Sequence, residues 1–397
     1  MRILLLIDVL HPGGAELFVL RLAHQLKVRG CNVFVYVLNK NRIDRSLVEI
    51  YSPSVKVFSP YISVYRFIQL IDGFLYRLKI KVSLLQNIHV YLLRKFILRY
   101  KVNVIHSHLF TADRIAAKIS SSTNTRVVST MHGDYLLYQN KIDAAKVARI
   151  FDYYKDVQNV LRNINHIVTI SDEQKNHIQA LITRLHLTAP ISKIYNGYAP
   201  GLLTIKENTG INSISKNCFV VGMVARGIKE KGWFELISAF LKASLPDSVL
   251  LLVGGGNYIE DLKKHFVEYS QIIFTGATSN PLSYISQMDV ACLPSYYEAE
   301  SLPTSIIEYL YLGKPVIATY KGEIPNMLAI GSEMACGFCI DSSNSDALIE
   351  GITESLTQLY NKKDLYNIFS KNAKKRSSIF DLDQCCAEYE KIYAYLN

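Results

Sequence analysis

Long apolar runs are missing from this chain of 397 residues. No uncharged apolar stretch approaches the roughly 18 residues that a membrane-spanning helix requires, so we expect no such helix. The first apolar run, Arg2 to Ile7, is stopped by Asp8, and no small-residue cleavage site follows before His11. We interpret this run as a first β-strand rather than a secretion signal. The expected location of the protein is therefore the cytoplasm.

Several common site motifs are also absent. The sequence has no Gly-x-Gly-x-x-Gly pattern and no P-loop, which removes the main support for a dinucleotide or P-loop nucleotide site. Its seven cysteines are scattered, and Cys336-Gly-Phe-Cys339 has no second pair to complete a metal site, so we expect reduced thiols. His106 and His108 have the spacing of metal ligands, but no third ligand is evident in the sequence. Packing inside the first domain is the simpler interpretation of these two histidines.

Strand-like and helix-like segments alternate along the chain, as in parallel sheets joined by crossover helices. The hydrophobic fraction of 49% and the charged fraction of 20% are typical of a folded protein, and the length suits two domains. We predict an α/β protein with two Rossmann-like domains that face each other across a cleft. The predicted boundaries are 1–200 for the first domain, 201–217 for a polar linker, 218–380 for the second domain and 381–397 for a last helix. The predicted strands are 2–7, 32–38, 102–105, 126–130, 166–170, 219–224, 248–253, 272–275, 290–293 and 315–319.

Positive charge is concentrated in one segment. The net charge is +10, and residues 61–103 hold eight basic side chains against the single acid Asp72, a surplus of +7 (8 − 1). Aromatic and aliphatic residues are interleaved with these cations, which suits a helix lying in the interface of an anionic membrane. A helix pair with a buried aromatic face and a solvated basic face explains the same pattern. Nucleic acid is a third partner for a basic chain, but no nucleic-acid motif supports it.

Two acidic residues mark the candidate site. Glu300 lies in a predicted strand-to-helix loop, and Glu308 follows about two turns later, in the helix that comes next. Loops at the carboxyl ends of parallel strands line the ligand crevice of an open α/β sheet, and the next helix offers free N–H groups to an anion. Taken alone, the pair is equally well explained as a loop residue and a solvated helix residue.

The block that contains both acids resembles a family signature. Residues 294–319 read Pro-Ser-Tyr-Tyr-Glu-Ala-Glu-Ser-Leu-Pro-Thr-Ser-Ile-Ile-Glu-Tyr-Leu-Tyr-Leu-Gly-Lys-Pro-Val-Ile-Ala-Thr and are similar to the signature of retaining family 4 glycosyltransferases of the GT-B fold. The resemblance implies a nucleotide-sugar donor, with Glu300 holding sugar hydroxyls near the anomeric centre and Glu308 accepting hydrogen bonds from the ribose. It also implies that the last helix crosses back to the first domain. Glu298 offers a second register for the first acid, but Glu300 has the spacing of the family.

The loop departs from the commoner Glu-Gly-Phe-Gly version of the motif. This chain has Glu300-Ser-Leu-Pro, and Pro303 has no N–H to donate where the common version has glycine. The contacts to the outer sugar hydroxyls, and with them the identity of the donor sugar, are therefore open. The remaining donor-binding candidates in this block are Leu302, Thr304 and Ser305.

Three further loops resemble elements of the family. Arg226 and Lys231 match its Arg-x4-Lys-Gly element, and both cations can neutralise a departing nucleoside diphosphate. Gly13 and Gly14 match its glycine-rich loop, where the backbone approaches the donor phosphate and the acceptor. His132, in Thr-Met-His-Gly, matches the histidine that the family places near the donor sugar and the reacting centre. The candidates for catalysis are Glu300, His132, Arg226 and Lys231.

No metal ion and no cofactor are expected beyond the nucleotide sugar as co-substrate. Metal-dependent sugar transfer on the other large fold uses an Asp-x-Asp motif, and the one such sequence here is Asp381-Leu-Asp383. It stands at the start of the last predicted helix, and we interpret it as a helix cap. Cationic side chains would then replace the metal ion and stabilise the negative charge of the leaving diphosphate.

The expected function is transfer of a sugar from a nucleoside-diphosphate donor to a hydroxyl of a glycan acceptor, with retention at the anomeric carbon. The resemblance favours the biosynthesis of a cell-surface polysaccharide such as lipopolysaccharide or capsule. The basic segment 61–103 favours a lipid-linked acceptor and a peripheral position on the inner face of the membrane. Two alternatives are a subunit that binds nucleotide sugar without turnover, and a GT-B nucleotide-sugar epimerase, which would need acid and base residues.

Overall fold

The computed structural model describes residues 1–62, 64–80, 82–123, 125–133, 153–201, 205, 215 and 217–396. Most of the predicted linker at 201–217 lies outside these residues. The chain divides into two compact units, Met1–Gly201 with Asp381–Asn397, and Leu202–Phe380. Among the described helices, none is long and apolar enough to cross a membrane.

A parallel sheet of seven strands forms the centre of the first unit. Its order is β3-β2-β1-β4-β5-β6-β7, so β4 lies beside β1 and the direction of strand addition reverses there. Strand β1 reads as a continuous apolar run, with residues 3–7 fully buried, as expected for a strand covered by helices on both faces of the sheet. The strands are β1 (Arg2–Ile7), β2 (Asn32–Val37), β3 (Lys56–Phe58), β4 (Val104–His108), β5 (Arg126–Met131), β6 (His166–Thr169) and β7 (Ile191–Lys193).

The described helices of this unit follow the strands. Seven of them precede the second unit: α1 (Gly14–Val28), α2 (Arg45–Tyr51), α3 (Tyr65–Arg77), α4 (Leu84–Tyr100), α5 (Phe110–Ser120), α6 (Tyr153–Asn163) and α7 (Asp172–Arg184).

Helices α3 and α4 form a hairpin in the basic segment. The carboxylate of Asp72, buried on α3, accepts hydrogen bonds from the backbone N–H of Leu84 at 2.7 Å and of Leu85 at 3.1 Å, and so caps the start of α4. On α4, Phe96 and Tyr100 pack against Phe34 of the sheet with ring centroids 6.0 and 5.2 Å away. The aromatic face of α4 is therefore a packing face, as the second interpretation of this segment predicts.

The second unit is built on a parallel sheet of six strands. Its order is β10-β9-β8-β11-β12-β13, which again reverses beside the first strand of the unit. The strands are β8 (Phe219–Val224), β9 (Ser248–Val253), β10 (Ile272–Gly276), β11 (Val290–Leu293), β12 (Val316–Thr319) and β13 (Gly337–Ile340). The helices are α8 (Trp233–Ala243), α9 (Asn257–His265), α10 (Pro281–Ile285), α11 (Thr304–Tyr311), α12 (Ile324–Met327), α13 (Ser345–Asn361) and α14 (Lys363–Arg376).

The last helix, α15 (Leu382–Leu396), belongs to the first unit. Asp381 caps it by accepting a hydrogen bond from the backbone N–H of Gln384 at 2.9 Å, as predicted for the Asp-x-Asp sequence. The other acid, Asp383, pairs with Arg29 just after α1 at 3.2 Å, and Glu390, about two turns later on the same face of α15, pairs with the same guanidinium at 2.8 Å. These contacts join α15 to α1.

Candidate functional site

The loops after β8 and β11 carry the candidate residues of the second unit. These two strands are neighbours in the sheet, so their carboxyl ends, and the loops that follow, lie side by side. The ammonium of Lys231, from the first loop, forms an ion pair with the carboxylate of Glu300, from the second. Both side chains are nearly buried, at 7% and 8% exposure. The structure thus brings together two residues that the sequence separates by 69 positions.

Tyr297 links the two cations of this site. Its ring lies 5.3 Å from the ammonium of Lys231 and 5.7 Å from the guanidinium carbon of Arg226, both within cation–π range. Arg226 itself is exposed at its side chain, while its carbonyl accepts a hydrogen bond from the indole N–H of buried Trp233 at 3.0 Å. The backbone of this loop is therefore anchored, and the guanidinium is free to meet an anion.

Two glycines let other backbone segments approach these loops. Gly232, directly after Lys231, has φ +78°, and a Cβ there would lie 2.2 Å from the carbonyl oxygen of Pro294. Gly322, after β12, has φ +51°, and a Cβ there would lie 2.2 Å from the carbonyl oxygen of Glu300. Next to it, the N–H of Glu323 donates to the carbonyl of Ser301 at 2.8 Å. The loop that carries Glu300 is thus supported from behind by the loop after β12.

Helix α11 begins at the candidate site. Pro303 is its N-cap, and Thr304 and Ser305 are its first two residues, so their N–H groups belong to the free donors of the first turn. Glu308, one turn further on, is buried with 6% exposure. The next residue, Tyr309, is fully buried, and its hydroxyl accepts a hydrogen bond from the N–H of Val224, the last residue of β8, at 2.7 Å. This contact ties α11 to the strand that leads into the Arg226 loop.

Leu302 fills the apolar side of the same loop and is buried at 7% exposure. The second-unit candidates Arg226, Lys231, Glu300, Leu302, Thr304, Ser305 and Glu308 therefore lie on two adjoining loops and the helix that follows.

A row of histidines occupies the carboxyl ends of β4 and β5 in the first unit. The Nδ1 atom of His108 lies 2.9 Å from the Nε2 atom of His132, a hydrogen bond between two imidazoles. The ring of His106 packs on that of His108, with centroids 4.1 Å apart. His106 in turn is hydrogen-bonded to the hydroxyl of Tyr393 at 2.6 Å and to that of Thr130 at 2.7 Å.

Burial keeps these imidazoles neutral. It lowers the pKa of His132 to about 3, and it holds the pKa values of His106 and His108 well below their usual range, with the neighbouring imidazoles adding to the effect. At physiological pH each ring therefore carries one proton and can both donate and accept one hydrogen bond. The prediction that His106 and His108 pack inside the first domain is confirmed, and His108 in addition contacts the candidate His132.

Gly13 and Gly14 lie at the start of α1, in the loop after β1. Gly13 is the N-cap residue in an extended conformation, and Gly14 is the first residue of the helix. A Cβ at Gly13 would lie 2.3 Å from the side-chain oxygen of Glu16, a flexible group. The backbone of this loop therefore lies at a helix N-terminus, with the side chain of Glu16 against Gly13.

Comparison with known proteins identifies the family. The model "Glycosyltransferase Family 4" matches residues 12–200, and the model "Glycosyl transferases group 1" matches residues 204–376. This chain belongs to the family 4 glycosyltransferases. The glycosyltransferase is 25% identical over 303 residues to UDP-Gal:alpha-D-GlcNAc-diphosphoundecaprenol alpha-1,3-galactosyltransferase from Escherichia coli, a match that spans 72% of this chain and 73% of that enzyme.

Solved structures show that the glycosyltransferase has the GT-B fold. Sucrose-phosphate synthase from Thermosynechococcus elongatus matches with a TM-score of 0.74 at 19% identity, over 100% of this chain and 99% of that chain. HepE of Anabaena, in complex with UDP-glucose, matches with a TM-score of 0.70 at 19% identity, over 99% of this chain and 100% of that chain. The predicted fold class is confirmed by these matches and by the two parallel sheets.

Sequence reasoning missed two supporting residues. His108 was assigned to packing alone, and Gly322 was not singled out. For His108 a signal was available, because it ends a strand next to the one that His132 follows, and such positions meet at one sheet edge. For Gly322 the sequence carries no comparable signal.

Proposed function

We propose that the protein transfers a sugar from a nucleoside-diphosphate donor to a hydroxyl of a lipid-linked glycan, with retention at the anomeric carbon, in the synthesis of a bacterial surface polysaccharide. The main support for binding of the nucleotide-sugar donor is the buried pair of Lys231 and Glu300. The pair lies beside exposed Arg226, on the adjoining loops after β8 and β11. The positive charge at this site suits the diphosphate of the donor. The carboxylate suits the hydroxyl groups of its sugar ring.

The donor would bind with its diphosphate at the cations. Arg226 can contact phosphate oxygens with its planar fork, and Lys231 can add a second positive charge while keeping its contact with Glu300. The free N–H groups at Thr304 and Ser305 offer further donors to the same anion. Together these groups would stabilise the charge that develops on the nucleoside diphosphate as its bond to the sugar breaks.

The sugar and ribose would be held by the two acids. Glu300 accepts hydrogen bonds from sugar hydroxyls beside the anomeric carbon, and Glu308 accepts them from the ribose. His132, from the first unit, would contact the sugar, and the Gly13 and Gly14 backbone would face the donor phosphate and the acceptor. Departure of the diphosphate leaves an oxocarbenium-like sugar, which the acceptor hydroxyl attacks on the face that the diphosphate leaves, and the hydroxyl proton passes to the departing phosphate oxygen. We assign no metal ion and no other cofactor to this step.

The proposed acceptor site is a cavity at the carboxyl end of β2. Its volume is about 670 Å³, and its lining includes Asn39, Lys40, Tyr61, Arg66 and Phe67. The two cations suit the phosphate groups of a lipid-linked glycan, and the asparagine and tyrosine suit its hydroxyls. The likeness to the E. coli enzyme, whose name gives a diphosphoundecaprenol acceptor, supports the same class of acceptor.

An exposed apolar stripe on α3 adjoins this cavity, and we propose that it docks on the membrane that holds the acceptor. The stripe consists of Phe67, Leu70 and Phe74 of α3 and of Leu78 at its C-cap, which are 63%, 71%, 61% and 54% exposed. Their spacing of three or four residues places them on one helix face. Exposed Arg66 and Arg77 flank the stripe, so an anionic membrane would meet both its apolar and its charged groups. A peripheral position on the cytoplasmic face would follow.

Ligand binding tests the donor site first. We expect UDP-hexoses, among a panel of nucleotides and nucleotide sugars, to raise the unfolding temperature of the wild type, because a ligand that binds the native state stabilises it. Arg226→Ala should abolish the shift. Lys229→Ala is the matched control, since it removes another exposed cation of the same loop, and it should leave the shift in place.

Transfer to an acceptor then tests the reaction. We expect incorporation of the donor sugar into a synthetic diphosphate-lipid-linked saccharide, with the anomeric configuration of the donor retained when the product is examined by NMR. Binding without any transfer would support the alternative of a silent nucleotide-sugar-binding subunit. Conversion of the nucleotide sugar to its epimer without an acceptor would support the epimerase alternative. Equal loss of binding in the Arg226 and Lys229 variants would contradict the proposed donor site.

A further inference from the structure

His108 and His132 are hydrogen-bonded to each other, and each ring has a second nitrogen atom that is not used in this bond. The Nε2 atom of His108 and the Nδ1 atom of His132 are both buried, and neither has a hydrogen-bond partner among the residues that the structure describes. Since each neutral imidazole carries one proton, the pair has two possible proton arrangements. In one, His108 donates from Nδ1 and His132 keeps its own proton on Nδ1. In the other, His132 donates from Nε2 and His108 keeps its proton on Nε2.

The two arrangements differ in where the unpartnered N–H lies. An unpartnered buried N–H is rarer in folded proteins than an under-used acceptor lone pair. His108 is fully buried within β4, with 0% exposure. His132 directly follows β5 and is only half-buried when the whole residue is counted. The adjacent Gly133 has open space beside its Cα. A free N–H is therefore better placed on His132, the less deeply buried residue of the pair, beside this open space.

The orientation of His108 is held by its surroundings. Its ring packs on His106, whose two nitrogens are bound to the hydroxyls of Tyr393 and Thr130. The ring of Phe18 meets both His108 and His132 edge-on, at centroid distances of 6.1 and 5.7 Å. Rotation of His108 would break this packing, so its Nδ1 atom stays directed at His132.

We propose that His108 is a positioning residue that sets the tautomer of His132. By donating from Nδ1, it leaves the proton of His132 on Nδ1, and His132 then presents a neutral hydrogen-bond donor to an oxygen of the substrate, either a hydroxyl or a phosphate oxygen. The part of this inference that concerns transfer rests on the proposed function. The part that concerns the tautomer does not.

Nitrogen NMR of the imidazole rings tests the tautomer directly. In ¹⁵N-histidine-labelled protein, with the His132 signals identified by their loss in His132→Asn, we expect the wild type to show a protonated Nδ1 and an unprotonated Nε2. His108→Asn keeps an amide N–H near the position of Nδ1 and should keep this tautomer. His108→Phe keeps an aromatic ring but has no donor, and should shift His132 toward the Nε2–H form.

Sugar transfer should follow the tautomer. We expect kcat/KM to fall on the order of tenfold in His108→Phe, the loss of about one hydrogen bond, and to stay near the wild-type value in His108→Asn. A wild-type His132 protonated on Nε2, or a tautomer that is the same in wild type and His108→Phe, would overturn the proposal. If His108→Phe does not fold, a wild-type spectrum with His132 protonated on Nε2 would still overturn the proposal. If the wild type transfers no sugar, the proposed function fails while the spectra still test the tautomer.

Discussion

Single residues outside the signature block support its geometry, and Gly322 is the clearest case. Its φ is +51°, and a Cβ there would lie 2.2 Å from the backbone carbonyl oxygen of Glu300, which cannot move without shifting the loop. We predict that Gly322→Ala displaces the Glu300 loop, weakens nucleotide-sugar binding at least tenfold and costs more stability than the roughly 1 kcal/mol of a left-handed backbone alone. Calorimetric titration and urea unfolding would measure the two effects.

Gly331→Ala is the matched control for this prediction. Gly331 also has a positive φ, +81°, but no atom lies within 4 Å of the position of its Cβ. This variant should lose about 1 kcal/mol of unfolding free energy and bind the donor as the wild type does. Equal losses in the two variants would mean that backbone strain, not contact with the Glu300 loop, explains the requirement for glycine at 322.

At the scale of elements, the basic segment separates into two helices with different roles. The sequence pattern allowed either a membrane-facing helix or a packed helix pair, since aromatic and basic residues are interleaved in both α3 and α4. The structure packs the partly buried rings of Phe96 and Tyr100 of α4 against the sheet. It leaves Phe67 and Phe74 of α3 exposed. Periodicity could not make this distinction, because it identifies the apolar face of a helix but not what covers that face.

The proposed role of α3 predicts a change in membrane binding. We expect the wild type to float with vesicles that contain anionic phospholipid, and the double variant Leu70→Gln with Phe74→Gln to remain unbound, because the variant loses two exposed apolar side chains of the stripe. Both side chains point away from the core, so thermal stability should change little.

A second double variant controls for general hydrophobicity. Val267 and Ile368 are also exposed apolar residues, but they lie in the second unit. Val267→Gln with Ile368→Gln should float as the wild type does. Flotation that persists in the α3 variant, or that is absent in the wild type at low salt, would argue against membrane docking through this helix.

At the scale of the whole molecule, the buried histidines link folding to pH. The pKa of His132 is lowered to about 3, below the usual value of about 6.5 in an unfolded chain. Between these two values the unfolded state binds the proton and the folded state does not, so the stabilisation is complete above pH 6.5 and is lost as the pH falls. Lowering the pH from 7.5 to 5.5 should therefore reduce the free energy of unfolding by up to about 1.4 kcal/mol through His132 alone.

Urea unfolding at these two pH values would measure the effect. We predict that His132→Asn reduces the loss of stability between pH 7.5 and pH 5.5 by up to about 1.4 kcal/mol relative to the wild type. His186→Asn is the control, because His186 is exposed and has a positive φ, +53°, that asparagine tolerates. It should leave the pH dependence unchanged. An equal dependence in wild type and His132→Asn would show that other groups govern acid stability.

Most predicted strands that are buried on both faces agree with the structure, but β4, predicted at 102–105, lies at Val104–His108, because its buried polar residues His106 and His108 do not read as strand core. The strand predictions at 219–224, 248–253 and 290–293 match the observed bounds, because continuous β-branched and aliphatic runs between turn residues specify a central parallel strand. The short strands β3, β7 and β13 were not predicted. Each has only three or four residues and lies toward an edge of its sheet, where pairing with one neighbour depends on tertiary contacts.

By itself, the sequence determined the alternation of strands and helices, the fold class and the loops that hold the candidate residues, because apolar periodicity and turn residues are local properties of the chain. Only the tertiary structure decided which side chains meet. It pairs Lys231 with Glu300, places Gly322 behind that loop, and joins His132 to His108 and, through His106, to Tyr393 of the last helix. These partners are far apart in the chain. Their contact depends on the strand order of each sheet and on the packing of α15, which no local pattern encodes.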